Sequence, residues 1–174
     1  MMKKEVKSRK PTRLKGYDYS IAGWYYVTIC TQNKIKYLGK INNGKMELND
    51  LGVIANTFWN NIGFLHKNID MDYYIIMPNH IHGIIIINNT VGDANFASPT
   101  YDRTKMELSK IIQQYKRAVT IKIKSLNKHS NFKWQRSFYD RIIRNDRELY
   151  NIRKYIKHNP LKWELENEID NLEF

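Results

Sequence analysis

Apolar positions crowd or alternate over some stretches of the chain and recur every three or four residues over others. GWYYVTIC, from Gly23 to Cys30, is dense in aromatic and β-branched residues and predicts a strand. A second strand is expected from Ile35 to Ile41. Asn42-Asn43-Gly44 then marks a turn, and Lys45 to Leu48 return as a short partner. Leu51, Ile54, Ala55, Phe58, Trp59 and Ile62 fall at helical spacing behind a cap at Asn49 or Asp50, and Gly63 weakens the end. Two strong strands follow, Ile69 to Met77 and His80 to Asn88, joined tightly at Pro78-Asn79. The four consecutive isoleucines of the second predict burial on both faces. Residues 89–103 read as a loop. From Thr104 to about Lys124, Leu108, Ile111, Ile112, Tyr115, Ala118 and Val119 form the stripe of a long helix. A turn at Asn127 to Ser130 leads into FKWQRSFYDRIIR, a fifth strand with an extension. Asp146 is expected to cap a last helix that stops before Pro160, because a residue ahead of proline disfavours the α region. This order predicts an α+β, ferredoxin-like fold, a mostly antiparallel sheet with helices on one face and a C-terminal helix carrying tyrosines.

Charge changes the picture from fold to partner. The chain has 174 residues, with 29 Lys+Arg against 17 Asp+Glu and a net charge of +12. Residues 164–174 hold five of the acids and no base, so the rest is more basic still. Residues 1–16 hold seven Lys/Arg and one acid and read as a flexible arm, which leaves 17–163 as the folded domain and 164–174 as an acidic, solvated tail. A surface this basic calls for an anionic partner, and nucleic acid is the default. At 42% hydrophobic and 13% aromatic residues the chain has material for a core, which excludes global disorder. The single cysteine, Cys30, excludes a disulfide framework and a cysteine-rich zinc site, and it reads as a core residue. No apolar run approaches the ~20 residues of a membrane span. The N-terminal residues lack the apolar stretch of a secretory signal, so a cytoplasmic, nucleoid-associated protein is expected.

The candidate chemistry starts at His80 and His82. They flank Ile81 in a strand, so both imidazoles point to one face, about 7 Å apart along the strand, within reach of one divalent metal. In the last helix, at ~100° per residue, Tyr155 and Asn159 fall together on one flank of the apolar face of Leu149, Ile152 and Ile156. An asparagine amide oxygen suits a hard cation. Tyr150 faces away, His158 is turned from this flank, and His66 and His129 read as solvated. Taken singly, each residue has an ordinary role: a surface histidine pair, a half-buried tyrosine, an asparagine ending a helix. Lys10, Arg13, Lys116, Arg117, Arg136, Arg141 and Arg144 are candidate phosphate contacts, and Tyr17 is a candidate for stacking on unpaired bases.

Taken together, MPNHIHGIIII, WQRSFYDRIIRN and IRKYIKHNPLKW resemble the single-tyrosine HUH transposases, where U is a hydrophobic residue. The branch most similar is that of the REP-associated tyrosine transposases, relatives of the smallest insertion-sequence transposases. The resemblance covers roughly residues 17–163. Its specific part is the order: His-Ile-His, then Trp-Gln-Arg, then a helix bearing Tyr-x-x-x-Asn-Pro. It implies that His80 and His82 ligate Mg²⁺ or Mn²⁺, that Asn159 takes the third ligand position, and that Tyr155 is the nucleophile. It implies cleavage and strand transfer of single-stranded DNA at hairpin-forming repeats, through a 5′-phosphotyrosine bond and without ATP. The absence of a P-loop from the sequence agrees. Some relatives act as monomers and others as homodimers that exchange the tyrosine helix; the connection from Arg141 to Asp146 is compatible with both. The competing expectation is a non-catalytic nucleic-acid-binding module with the same fold, although the aromatic pattern of RNA-recognition domains is not found.

Overall fold

The computed structural model describes residues 22–88, 107–126 and 131–172. In chain order these form β1 (Gly23–Cys30), β2 (Gly39–Asn42), β3 (Lys45–Leu48), α1 (Asp50–Asn60), the single-turn α2 (Ile62–Leu65), β4 (Ile69–Ile76), β5 (His80–Ile87), α3 (Glu107–Ser125), β6 (Tyr139–Ile143) and α4 (Asp146–Leu172). An antiparallel sheet runs β4-β5-β1-β6, and β2 and β3 make a separate hairpin. The chain passes through α1 and α3 to non-adjacent strands, which is the ferredoxin-like α+β arrangement.

Strand alternation divides the core in two. Tyr25, Val27 and Ile29 of β1 and Ile81 and Ile85 of β5 face α1 and α3, where they bury Trp59, Leu108, Ile111 and Tyr115. Tyr26, Ile84 and Ile143 face the other way and pack under Leu149 and Ile156 of α4. Ile84 and Ile85 are both fully buried, as the isoleucine run predicts. Helices thus cover both faces: α1 and α3 one, the tyrosine-bearing α4 the other. Gly83 lets Trp59 lie on the sheet, because a Cβ there would stand 2.2 Å from the indole ring. Gly83→Ala is expected to destabilise the fold by about 3 kcal/mol, read as a lowered urea midpoint at unchanged slope.

Several element boundaries differ from the sequence reading. The second strand begins at Gly39, not Ile35, and its hairpin stands outside the main sheet. The fifth-strand expectation shrinks to Tyr139–Ile143, with Trp134 making one isolated bridge to Thr31. The cap of α4 is Asn145 rather than Asp146: its side chain accepts from the Glu148 N–H at 2.9 Å, while the Glu148 carboxylate accepts from the Arg144 N–H. The helix does not stop before Pro160 but runs through it to Leu172. An interior proline costs about 3 kcal/mol. Contacts beyond it offset this: Asn159 and Pro160 are buried, Leu161 packs against Gly44, and the Glu164 carboxylate accepts from the Gly44 N–H. The expected acidic tail therefore begins as helix, and its first residue is docked rather than solvated. The basic arm, the 89–103 loop and His129 lie outside the described residues.

Candidate functional site

Register places the two histidines. His82 pairs with Thr28 and His80 with Cys30, so all four side chains share the α4 face with Tyr26. Cys30 is thus half-buried beside His80 rather than in the core as expected. The two imidazoles turn toward each other, with His80 Nε2 and His82 Nε2 3.0 Å apart. Their other nitrogens are held from behind. His80 Nδ1 meets Asn79 Oδ1 at 2.7 Å. His82 Nδ1 meets the Tyr26 hydroxyl at 2.7 Å and the Thr28 hydroxyl at 2.9 Å. An amide oxygen only accepts, so His80 donates from Nδ1 and keeps a lone pair on Nε2. Hydroxyls both donate and accept, so Tyr26 and Thr28 can receive a proton from His82 Nδ1 and leave its Nε2 lone pair facing the same point.

That point fits a divalent ion. At ~2.1 Å per bond, two ligands at right angles stand about 3.0 Å apart. Ligand imidazoles must also be neutral. Burial lowers His80 to about 4, helped by the nearby Lys34 charge, and lowers His82 to about 3, helped by His80. Burial likewise raises the Tyr26 phenol well above its ordinary range, so it stays protonated. Among the described residues no three His, Cys, Asp or Glu side chains converge.

These shifts carry a stability sign. Unfolded histidine titrates near ~6.5. Between that value and about 4, the unfolded chain binds more protons than the fold, so stability is full at neutral pH and falls on acidification. In chelator, the loss from pH 7 to pH 4.5 is expected to be on the order of 2–5 kcal/mol larger in wild type than in His80→Gln/His82→Gln, measured by urea unfolding.

Helix α4 brings the remaining groups over the pair. Tyr155, Asn159 and Trp163 repeat every four residues along one side. The Tyr155 ring lies 5.3 Å from His82 and 6.4 Å from Tyr26. The Trp163 ring lies 5.5 Å from His80. Asn159 sits between these two contacts, 6% exposed, and no described residue hydrogen-bonds its side-chain amide. Tyr155 is 41% exposed, open to a substrate, with the Lys162 ammonium 5.9 Å from its ring centre. The helix is clamped to its own sheet by Arg153, which grips Asp72 at the irregularity in β4 and lies over Trp24 and Tyr73. Tyr150 is exposed elsewhere, and His158 bonds the Lys154 carbonyl on the outer surface.

The structure thus gathers His80, His82 and Tyr155, with Asn159 buried one helical turn beyond Tyr155 on the same side of α4. Of the proposed phosphate contacts, Arg117 and Arg136 line a cleft with Lys116 on the other side of the sheet. Lys116 spends its ammonium on the Gln135 and Arg136 carbonyls, and Arg141 is paired with Glu148. Arg144 is exposed at the start of α4. Lys10, Arg13 and Tyr17 lie outside the described residues. Sequence reasoning missed Tyr26, Thr28, Asn79 and Trp163. Only strand and helix parity pointed to them, and parity needs the register with β5 before it means anything.

The fold has a solved counterpart. A REP-associated tyrosine transposase, solved bound to a REP hairpin, superposes with a TM-score of 0.55 over 86% of this chain and 74% of its own, at 17% identity. No family model matches the sequence. An uncharacterized protein of Haemophilus influenzae is 36% identical over 166 residues, which cover 91% of this chain and 92% of that protein. With identity at that level along nearly the whole of both chains, this chain belongs to the family of that Haemophilus influenzae protein.

Proposed function

We propose that the protein is a metal-dependent, transposase-like enzyme that cleaves and rejoins single-stranded DNA at hairpin-forming repeats through Tyr155. The observation that carries this reading is the edge-to-face contact of a half-exposed tyrosine with one of two histidines whose Nε2 atoms stand 3.0 Å apart. The solved counterpart bound to a REP hairpin supports DNA as the partner. In this reading His80, His82 and Asn159 would hold the ion. Mg²⁺ or Mn²⁺, when bound, supplies charge withdrawal from the phosphoryl oxygens.

The chain's own residues do the rest. Tyr155 Oη attacks the phosphorus, the Oη–P bond forms and the P–O3′ bond breaks. The tyrosine proton is lost and the departing 3′ oxygen gains one. The product is a 5′-phosphotyrosine and a free 3′-hydroxyl. One phosphodiester replaces another, so the step is reversible and needs no nucleotide. Lys162 adds positive charge beside the attacking ring. Tyr26 and Thr28 orient His82, and Asn79 orients His80.

The test is a denaturing gel of the protein incubated with Mn²⁺ and labelled hairpin oligonucleotides from the DNA flanking its gene. A protein band carrying label and lost in chelator is expected; label bound only under native conditions would support the binding module instead. Tyr155 meets His82 of its own chain, so one chain should suffice. Mixing Tyr155→Phe with His82→Ala chains is then expected to restore no adduct.

A further inference from the structure

We propose that a basic cleft on the α3 side of the sheet is a second DNA-binding surface, which leads a strand around the end of β1 to Tyr155. It rests on the reading that DNA is the substrate. The cleft, about 990 Å³, lies between α3, the turn at 31–34 after β1 and the 132–137 segment. Lys34, Lys116, Arg117, Lys124, Lys133 and Arg136 line it, and among the described residues no acid does. Apart from Lys116, none of these has an acidic or carbonyl partner among the described residues. A second hollow of about 390 Å³ continues along α3, bordered by Lys110, Lys116 and Arg136. From Lys110 to Lys124 the helix spans about 21 Å, the length of roughly six stacked nucleotides. Cations without an acidic partner among the described residues, set along one track, match the repeating charge of a phosphate backbone and repel one another without it.

The wall nearest the site is built, not incidental. Asn33 and Lys34 both have φ near +55°, a left-handed conformation that costs about 1–2 kcal/mol for each non-glycine residue. Two hydrogen bonds hold them there. Thr31 Oγ1 donates to the Ile35 carbonyl at 2.8 Å, and Asn79 Nδ2 donates to the Lys34 carbonyl at 2.9 Å. Asn79 is 6% exposed, and its other side-chain atom, Oδ1, is the partner of His80 Nδ1. One buried residue therefore fixes both the cleft wall and a histidine of the candidate site. The cleft opens on the α3 face and the histidines on the α4 face, and the two meet at this turn. Lys116 acts as a tie: by bonding the Gln135 and Arg136 carbonyls it holds Arg136 where it borders both hollows.

The experiment is fluorescence anisotropy of the full chain with a thirty-nucleotide oligo-dT in chelator, from 50 to 200 mM NaCl. Arg117→Gln/Lys124→Gln/Lys133→Gln is compared with Lys40→Gln/Lys45→Gln/Lys67→Gln, which removes equal charge elsewhere. The cleft variant is expected to lower the slope of log K against log [NaCl] by about 2 and the affinity at least ~10-fold at 100 mM. The control is expected to stay within about three-fold. Equal losses in both variants, or none in the cleft variant, would overturn the proposal. The outcome is separable from catalysis. Cleft-dependent binding without any adduct keeps the cleft and defeats the strand-transfer reading. Adduct formation with cleft-independent binding does the reverse.

Discussion

Tyr155→Phe is expected to bind oligonucleotides within a few-fold of wild type and to form covalent adduct at least ~10³-fold more slowly. The substitution removes one oxygen and little else. The ring is 41% exposed and its hydroxyl bonds no described residue, so no buried polar group is stranded. The ring contacts to His82 and Tyr26 survive in phenylalanine. Thermal stability should therefore hold, and so should Mn²⁺ affinity, because no metal-ligand candidate has changed. An adduct at the wild-type rate would show that another group attacks the phosphate.

His82→Ala is expected to fail differently. It deletes one of two nitrogens that face a common point, so Mn²⁺ affinity measured by calorimetry should fall at least ~10²-fold, and adduct formation should fall with it. It also removes the partner of two hydroxyls. Among the described residues Tyr26 Oη keeps only the Thr28 hydroxyl, at 3.4 Å, in a buried setting. A stranded buried hydroxyl costs about 1–3 kcal/mol, so His82→Ala should also lower the urea midpoint. His80 is more exposed, and removing it strands one buried polar atom, Asn79 Oδ1, where removing His82 strands two hydroxyls, so His80→Ala should match the metal defect with a smaller loss of stability. Metal affinity at the wild-type level in both variants would remove the histidines from any metal site.

Local pattern carried much of this arrangement. The two-residue period of a strand put His80 and His82 on one face, and the helical period put Tyr155 and Asn159 on one flank; both placements stand in the fold. Long-range pairing was harder to read. Tyr26, Thr28 and Cys30 reach the site only because β1 lies antiparallel to β5 in a register fixed over some fifty residues of chain. Pro160 misled for a related reason. The bias of a pre-proline residue against helix is local, whereas the contacts that carry α4 onward, Leu161 and Glu164 on Gly44, join residues far apart in sequence. The basic cleft is likewise assembled from three separate segments. Charge count pointed to an anionic partner but gave no hint that six cations would share one cleft of the molecule.

The most direct test of the account is to locate the covalent bond. Adduct formed with Mn²⁺ and a hairpin oligonucleotide would be trimmed with nuclease and protease, and the peptide bearing the residual nucleotide sequenced by mass spectrometry. The account predicts the nucleotide on Tyr155. The same mass found on Tyr139, which stands exposed 6.4 Å from Tyr26 on the same face, or on Tyr150 would contradict it.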